Sequence, residues 1–171
     1  MRAGIALGSN LEHRLQYLQE ARRHLRALHV EGAPFLCSRI YETEPIDCPV
    51  DSPAFLNAAI EISTMLPPLD LLAKLQDIEE RLGRPRHHGH HAPRTIDLDL
   101  LYFDNLVVRL PELELPHPRI ASRAFVLQPL NDICPSRILP GSRGSIECLL
   151  KNIPTSDLAR AVATFQDRNP E

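Results

Sequence analysis

The sequence predicts an α+β fold, a ferredoxin-like βαββαβ sandwich with a mostly antiparallel sheet and helices packed on it. Three observations carry this expectation. Apolar residues switch between strand and helix spacing in the order strand, helix, strand, strand, helix, strand. The length of 171 residues suits one domain with its own core. Hydrophobic residues make up 43% and charged residues 24%, which is ordinary for a folded chain and excludes a disordered or fibrous one. A single domain over 1–171 is expected, with 141–171 its weakly determined segment.

Ala3 to Leu7 is a short apolar run ending at Gly8, which reads as a buried strand. Ser9 and Glu12 have capping-box spacing. Leu11, Leu15, Leu18, Ala21, Leu25 and Leu28 then recur at helical spacing, so a helix is expected to about His29. Phe35 to Tyr41 reads as a strand. Glu42 to Ala54 holds three prolines without periodicity, a long loop of the functional kind. Strict alternation from Phe55 to Thr64 predicts a strand with Leu56, Ala58, Ile60 and Ile62 on one face. Pro67-Pro68 starts a second helix along Leu71, Leu75, Ile78 and Leu82, and Gly83 stops it. Residues 84–94, RPRHHGHHAPR, form a basic loop. Thr95 to Phe103 is a strand, with a hairpin turn at Asp104-Asn105 before Leu106 to Arg109. Ser122 to Leu130 reads as a short helix, Ile133 to Leu139 as irregular chain, and the last thirty residues as two weak helical patterns.

The net charge of -3 provides no global positive field, so no nucleic-acid or membrane partner is expected. The apolar runs are far shorter than the ~20 residues that span a bilayer. The N-terminus lacks the long apolar core of a signal peptide, and a cytoplasmic protein is expected. Cys37, Cys48, Cys134 and Cys148 are widely spaced, which fits reduced thiols.

The strongest chemical signal is Asp97-Leu98-Asp99 within TIDLDLLYF. On a strand the two carboxylates project from one face, about 7 Å apart, with Ile96, Leu98, Leu100 and Tyr102 on the other. Paired carboxylates need a positive partner, and Mg²⁺ takes hard oxygen ligands together with substrate phosphates. A bare D-x-D is more often the mark of a solvated acidic strand. Arg84, Arg86 and Arg94 bracket this one, and guanidinium groups grip phosphate oxygens, so the set suits phosphoryl transfer. Phe55 and Asn57 stand two apart on one strand face, an aromatic plane and an amide suited to a flat heterocycle. The same pair also suits plain packing beside a surface amide. His87, His88, His90 and His91 invite a zinc reading, but adjacent loop histidines are poorly spaced for one tetrahedral site.

With these residues in view, ALGSNL, YETEP, FLNA, IEERLGRPR, PRTIDLDLL, PHPR and RAFVLQPL resemble the 6-hydroxymethyl-7,8-dihydropterin pyrophosphokinase family of folate biosynthesis, in its order and spacing, over roughly residues 3–135. The resemblance implies a ferredoxin-like fold. It implies transfer of the pyrophosphoryl group of ATP to the pterin hydroxymethyl oxygen, with release of AMP. By that likeness Asp97 and Asp99 hold two Mg²⁺ ions, and Arg84 and Arg94 are the phosphate-gripping catalytic arginines. Gln76, Glu79, His117 and Arg123 complete the ATP site. Thr43, Pro45 and Ile46 edge the pterin, Asn57 hydrogen-bonds it, and Phe55 and Phe125 sandwich it. ATP and the pterin are the expected partners of a monomer or, at most, a weak dimer.

The chain departs from the family pattern where His91-Ala92 replaces a frequent Trp-Gly, where His87 replaces a basic residue and where Phe55 replaces a frequent Tyr. Two other readings stay open at this point. A nucleotidyltransferase with a D-x-D metal pair would release pyrophosphate. A non-catalytic ferredoxin-like module would bind metal through its histidines.

Overall fold

The computed structural model describes residues 1–44, 53–84 and 95–165. Its elements are β1 (Arg2–Ser9), α1 (Arg14–Ala27), β2 (Leu36–Cys37), β3 (Arg39–Thr43), β4 (Phe55–Ser63), α2 (Pro68–Arg81), β5 (Asp97–Phe103), β6 (Val108–Arg109), β7 (Glu114–Leu115), α3 (Ala124–Ile133), α4 (Ile146–Lys151) and β8 (Arg160–Thr164). The main sheet runs β5-β1-β4-β3-β8, with β2 beside β3 on β4. Every pairing in it is antiparallel. The first four strands of that order reproduce the expected βαββαβ arrangement, because each crossover helix carries the chain past one intervening strand.

Alternation along the strands gives the sheet two apolar faces. Ile5, Leu7, Ile60, Ile62 and Leu100 meet Leu18 and Leu25 of α1 and Leu71 and Leu75 of α2. On the opposite face Ala59, Leu101 and Tyr102 meet Val126, Leu127 and Leu130 of α3 and Ile146 of α4. The region beyond residue 120 thus supplies a second helical layer. Among the described residues no helix is long and apolar enough to cross a membrane.

Several elements differ from the sequence reading, each for a physical reason. Ser9 ends β1 fully buried instead of capping a helix. The first helix begins at Arg14, after His13 in the left-handed region (φ 66), without a side-chain cap. The strand expected over Phe35–Tyr41 is interrupted at Ser38, whose hydroxyl accepts the Ala59 N–H at 2.9 Å and so takes part in the ladder itself. Tyr102 lies on the α3 face and not with Leu98 and Leu100. A register shift at Gly4/Ile5 inserts an extra residue into β5 and flips everything after it. Gly4 accommodates this flip, since a Cβ there would lie 2.3 Å from the Tyr102 ring. The turn at Asp104 does not lead to a hairpin with β5, because β6 pairs with β7 instead. The C-terminal stretch contains α4, a short 3-10 turn and the edge strand β8. The Gln128 side chain holds the approach to β8, as its Oε1 accepts from the Ala159 N–H at 2.7 Å and its Nε2 donates to the Ala159 carbonyl at 3.1 Å.

On the α3 face, at the end away from the acidic pair, Glu61 is buried. Its carboxylate accepts from the Tyr102 hydroxyl at 2.6 Å, Arg137 at 3.0 Å and Arg2 at 3.4 Å. Arg137 also stacks over the Tyr102 ring, 4.3 Å from its centroid.

Candidate active site

Register places three chemical groups in one row. Gly8 of β1 stands opposite Asn57 of β4 and Asp97 of β5, and Ala6 stands opposite Asp99. Strands lie about 4.8 Å apart, so the amide and the first carboxylate rise from backbones roughly 10 Å apart with a glycine between them. A Cβ at Gly8 would stand 3.3 Å from Asn57 Oδ1 and 4.0 Å from Phe55 Cδ1, so glycine keeps this floor open. Helix α3 covers the row. Phe125 and Val126 line a small cleft together with Gly8, Asn57, Asp97 and Asp99.

The end of α2 brings up the positive charge. Gly83 takes a positive φ of 89, the Gly83 N–H bonds to Glu80 O, and the Arg84 N–H bonds to Glu79 O, both at 3.0 Å. This glycine-dependent helix stop folds Arg84 back toward β5. The Arg84 guanidinium donates to both Glu79 and Asp97 through Nη1. Glu79 Oε1 also accepts the Leu98 N–H at 2.7 Å. Burial pushes the Glu79 carboxyl up to about 7; the Leu98 N–H and the charge of Arg84 oppose that rise, and Asp97 and Asp99 add to it. Burial works against the Arg84 charge, yet Asp97 and Glu79 outweigh it and hold this guanidinium above its ordinary value.

A basic set completes the neighbourhood. His117 donates its backbone N–H to Leu101 O of β5 at 2.8 Å, and its Nδ1 accepts the Arg119 N–H at 3.2 Å. Nε2 therefore carries the proton of the neutral ring. Burial, then the charges of Arg123 and Arg119, lower its pKa, so the imidazole is neutral near pH 7. Arg123 stacks over Phe125 with its guanidinium carbon 5.3 Å from the ring centroid. On the other side of the cleft, Asn57 Nδ2 donates to Thr43 Oγ1 at 2.7 Å.

Of the sequence-predicted residues, Asn57, Asp97, Asp99 and Phe125 line one cleft, with Thr43, Phe55, Glu79 and Arg84 attached to it by the contacts above. Gln76 is solvent-exposed on α2, one turn before Glu79. Pro45, Ile46, Arg94 and the histidines 87–91 lie outside the described residues. Gly8 and Val126 are missing from the sequence reading. Gly8 was visible there only as the end of an apolar run, and Val126 only as part of a helix. Arg119 was visible within PHPR.

The site residues suit a divalent cation. Asp97 and Asp99 are hard oxygen donors on one strand face, and a guanidinium already bridges Asp97 to a third carboxylate, so cationic charge is what this cluster attracts.

Comparison with known proteins follows the same residues. The family model for 7,8-dihydro-6-hydroxymethylpterin-pyrophosphokinase (HPPK) matches residues 4–135. The 2-amino-4-hydroxy-6-hydroxymethyldihydropteridine pyrophosphokinase of Bacillus subtilis is 45% identical over 134 residues, covering 77% of each chain. The protein of the same name from Pseudomonas aeruginosa is 40% identical over 148 residues, 86% of this chain and 90% of that one. The folic acid synthesis protein fol1 of Pneumocystis carinii is 36% identical across 96% of this chain, which spans only 22% of that longer protein. Among solved structures, Plasmodium falciparum HPPK-DHPS with pteroate superposes with a TM-score of 0.67 over 88% of this chain and 42% of that one, at 18% identity, a likeness of fold. With the matched stretch running from β1 through α3 and carrying the acidic pair, Asn57, Arg84 and Phe125, the chain belongs to the 7,8-dihydro-6-hydroxymethylpterin-pyrophosphokinase family.

Proposed function

We propose that this site carries out the family's reaction, transfer of the pyrophosphoryl group of ATP to the hydroxymethyl oxygen of 6-hydroxymethyl-7,8-dihydropterin, releasing AMP in folate biosynthesis. The chain is an ATP-dependent pyrophosphokinase by family membership. The observation that carries the site assignment is the row Asn57–Gly8–Asp97 under Phe125, which puts a heterocycle-reading amide and a phosphate-facing carboxylate on one floor.

In this reading the pterin lies over Gly8 with its edge at Asn57 and Thr43, and its faces meet Phe55 and Phe125. Pro45 and Ile46 are assigned to the same pterin edge. The Thr43 hydroxyl holds the Asn57 amide in one orientation, so the Oδ1 above Gly8 is the group offered to a ring N–H. Asp97 and Asp99 would hold two Mg²⁺ ions. When bound, the ions neutralise phosphate charge and orient the triphosphate. Arg84, which bridges Asp97 and Glu79, would offer its remaining guanidinium donors to the phosphates, together with Arg94, Arg123 and neutral His117. Gln76 and Glu79 complete the nucleotide side. Phe125 and Val126 exclude water from the attacked phosphorus once the substrates are in place. A loose transition state asks for positioning more than for a strong base, which fits a site rich in cationic donors. The whole chain is read as one cytoplasmic catalytic unit that works as a monomer or, at most, a weak dimer, without nucleic acid or membrane.

Product analysis tests this reading. Protein, ATP, Mg²⁺ and the pterin are mixed and the nucleotides separated. AMP that forms only with pterin present is the expected result. ADP in its place, or free pyrophosphate, refutes pyrophosphoryl transfer, and pyrophosphate would favour nucleotidyl transfer.

A further inference from the structure

The pterin end of the β3–β4 pair is held by a side chain from α1. Arg14 reaches from the first turn of that helix and donates through Nη1 to the Ala54 carbonyl at 2.5 Å. Its Nη2 donates to Glu42 Oε2 at 3.0 Å. These two partners immediately precede Thr43 and Phe55, which face each other across the ladder. One guanidinium fork thus ties together the two strand ends that carry Thr43, Phe55 and, two residues further on, Asn57.

The backbone is arranged to deliver this side chain. His13 adopts φ 66 and ψ 27, a region that non-glycine residues enter at a cost, and it caps α1 without a side-chain bond. That turn sets the helix to begin at Arg14. The Arg14 side chain is only 30% exposed, although it sits at a helix end. Planar guanidinium geometry allows the two acceptors to be engaged together, whereas a lysine ammonium is a point donor on a flexible stem.

We infer that Arg14 is a positioning residue for pterin recognition. It acts through Glu42 and Ala54 to fix the spacing between Thr43 and Phe55, and hence the Thr43–Asn57 hydrogen bond that orients the amide toward the ring. Arg14 does not touch the substrate. The nucleotide side of the site, built on α2, β5 and the segment around His117, shares none of these contacts. The inference rests on the pterin assignment made above.

The test compares wild type, Arg14→Gln and Arg14→Lys by steady-state kinetics with pterin and ATP varied separately, together with thermal melting. Loss of the clamp is expected to raise KM for the pterin about tenfold while KM for ATP stays within about twofold. Arg14→Lys, which can satisfy one acceptor, should fall between the two. An unchanged pterin KM in Arg14→Gln overturns the inference. So does an equal loss in both KM values accompanied by a large drop in melting temperature, which marks a general structural role. A wild-type protein that makes no AMP from pterin overturns the reading of the site itself, and the inference falls with it.

Discussion

Replacing Glu79 by Gln isolates the cost of burying a carboxylate beside the acidic strand. Glu79 has a side chain only 14% exposed, and burial pushes it from the ordinary 4.5 up to about 7. Because the folded-state value lies above the unfolded one, the protonated form is the one folding favours. This stability is fully present below about pH 4.5 and is lost as pH rises through about 7. At 1.36 kcal/mol per unit the whole shift corresponds to about 3 kcal/mol, and most of it, about 2 to 3 kcal/mol, falls between pH 5 and pH 8. Glutamine keeps an oxygen for the Leu98 N–H but cannot ionise. Urea unfolding of metal-free protein at pH 5 and pH 8 measures the effect. Wild type should lose about 2 to 3 kcal/mol more than Glu79→Gln across that interval. Parallel pH curves for the two proteins would refute the burial argument. A wild type that gained stability over the variant would mean that pairing with Arg84 outweighs desolvation.

Two further predictions concern the acidic strand and the buried network at the far end of the sheet. Asp97→Ala should reduce kcat to well under about a tenth of wild type with fold and melting preserved, and a higher residual rate would refute its place at the phosphates. Arg137→Met leaves Glu61, 1% exposed, with the Tyr102 hydroxyl and the longer Arg2 contact, which should cost about 3 kcal/mol in urea unfolding; Glu61→Gln/Arg137→Met should recover most of that, and equal costs for the two proteins would rule out an unpaired buried charge as the cause.

Local pattern was sufficient wherever one face of one element carried the information. The alternation of Phe55–Ser63 determines that Asn57 and Phe55 share a face, and the D-x-D spacing determines that Asp97 and Asp99 do. The helix stop at Gly83 was legible because only a positive φ permits that turn. The family motifs extended this to the reaction. Elements set by partners distant in sequence were not legible. Ser9 has the spacing of a helix cap, but the eight-residue ladder between β1 and β4 claims it as a strand end. Tyr102 has the parity of Leu98, but the bulge against Gly4 reverses it, and nothing within TIDLDLLYF announces a bulge. The edge strand β8 is decided by an open neighbour, β3, and by Gln128 on α3. In the same way, the sequence by itself determined which residue types the site contains. Only tertiary structure decided that Gly8 lies between them, that Arg84 bridges Glu79 and Asp97, and that Arg14 ties the β3 and β4 ends together. The physical reason is that periodicity records which way a side chain points along its own element, whereas register and crossover, set by sheet pairing and helix packing across the whole chain, choose what it meets.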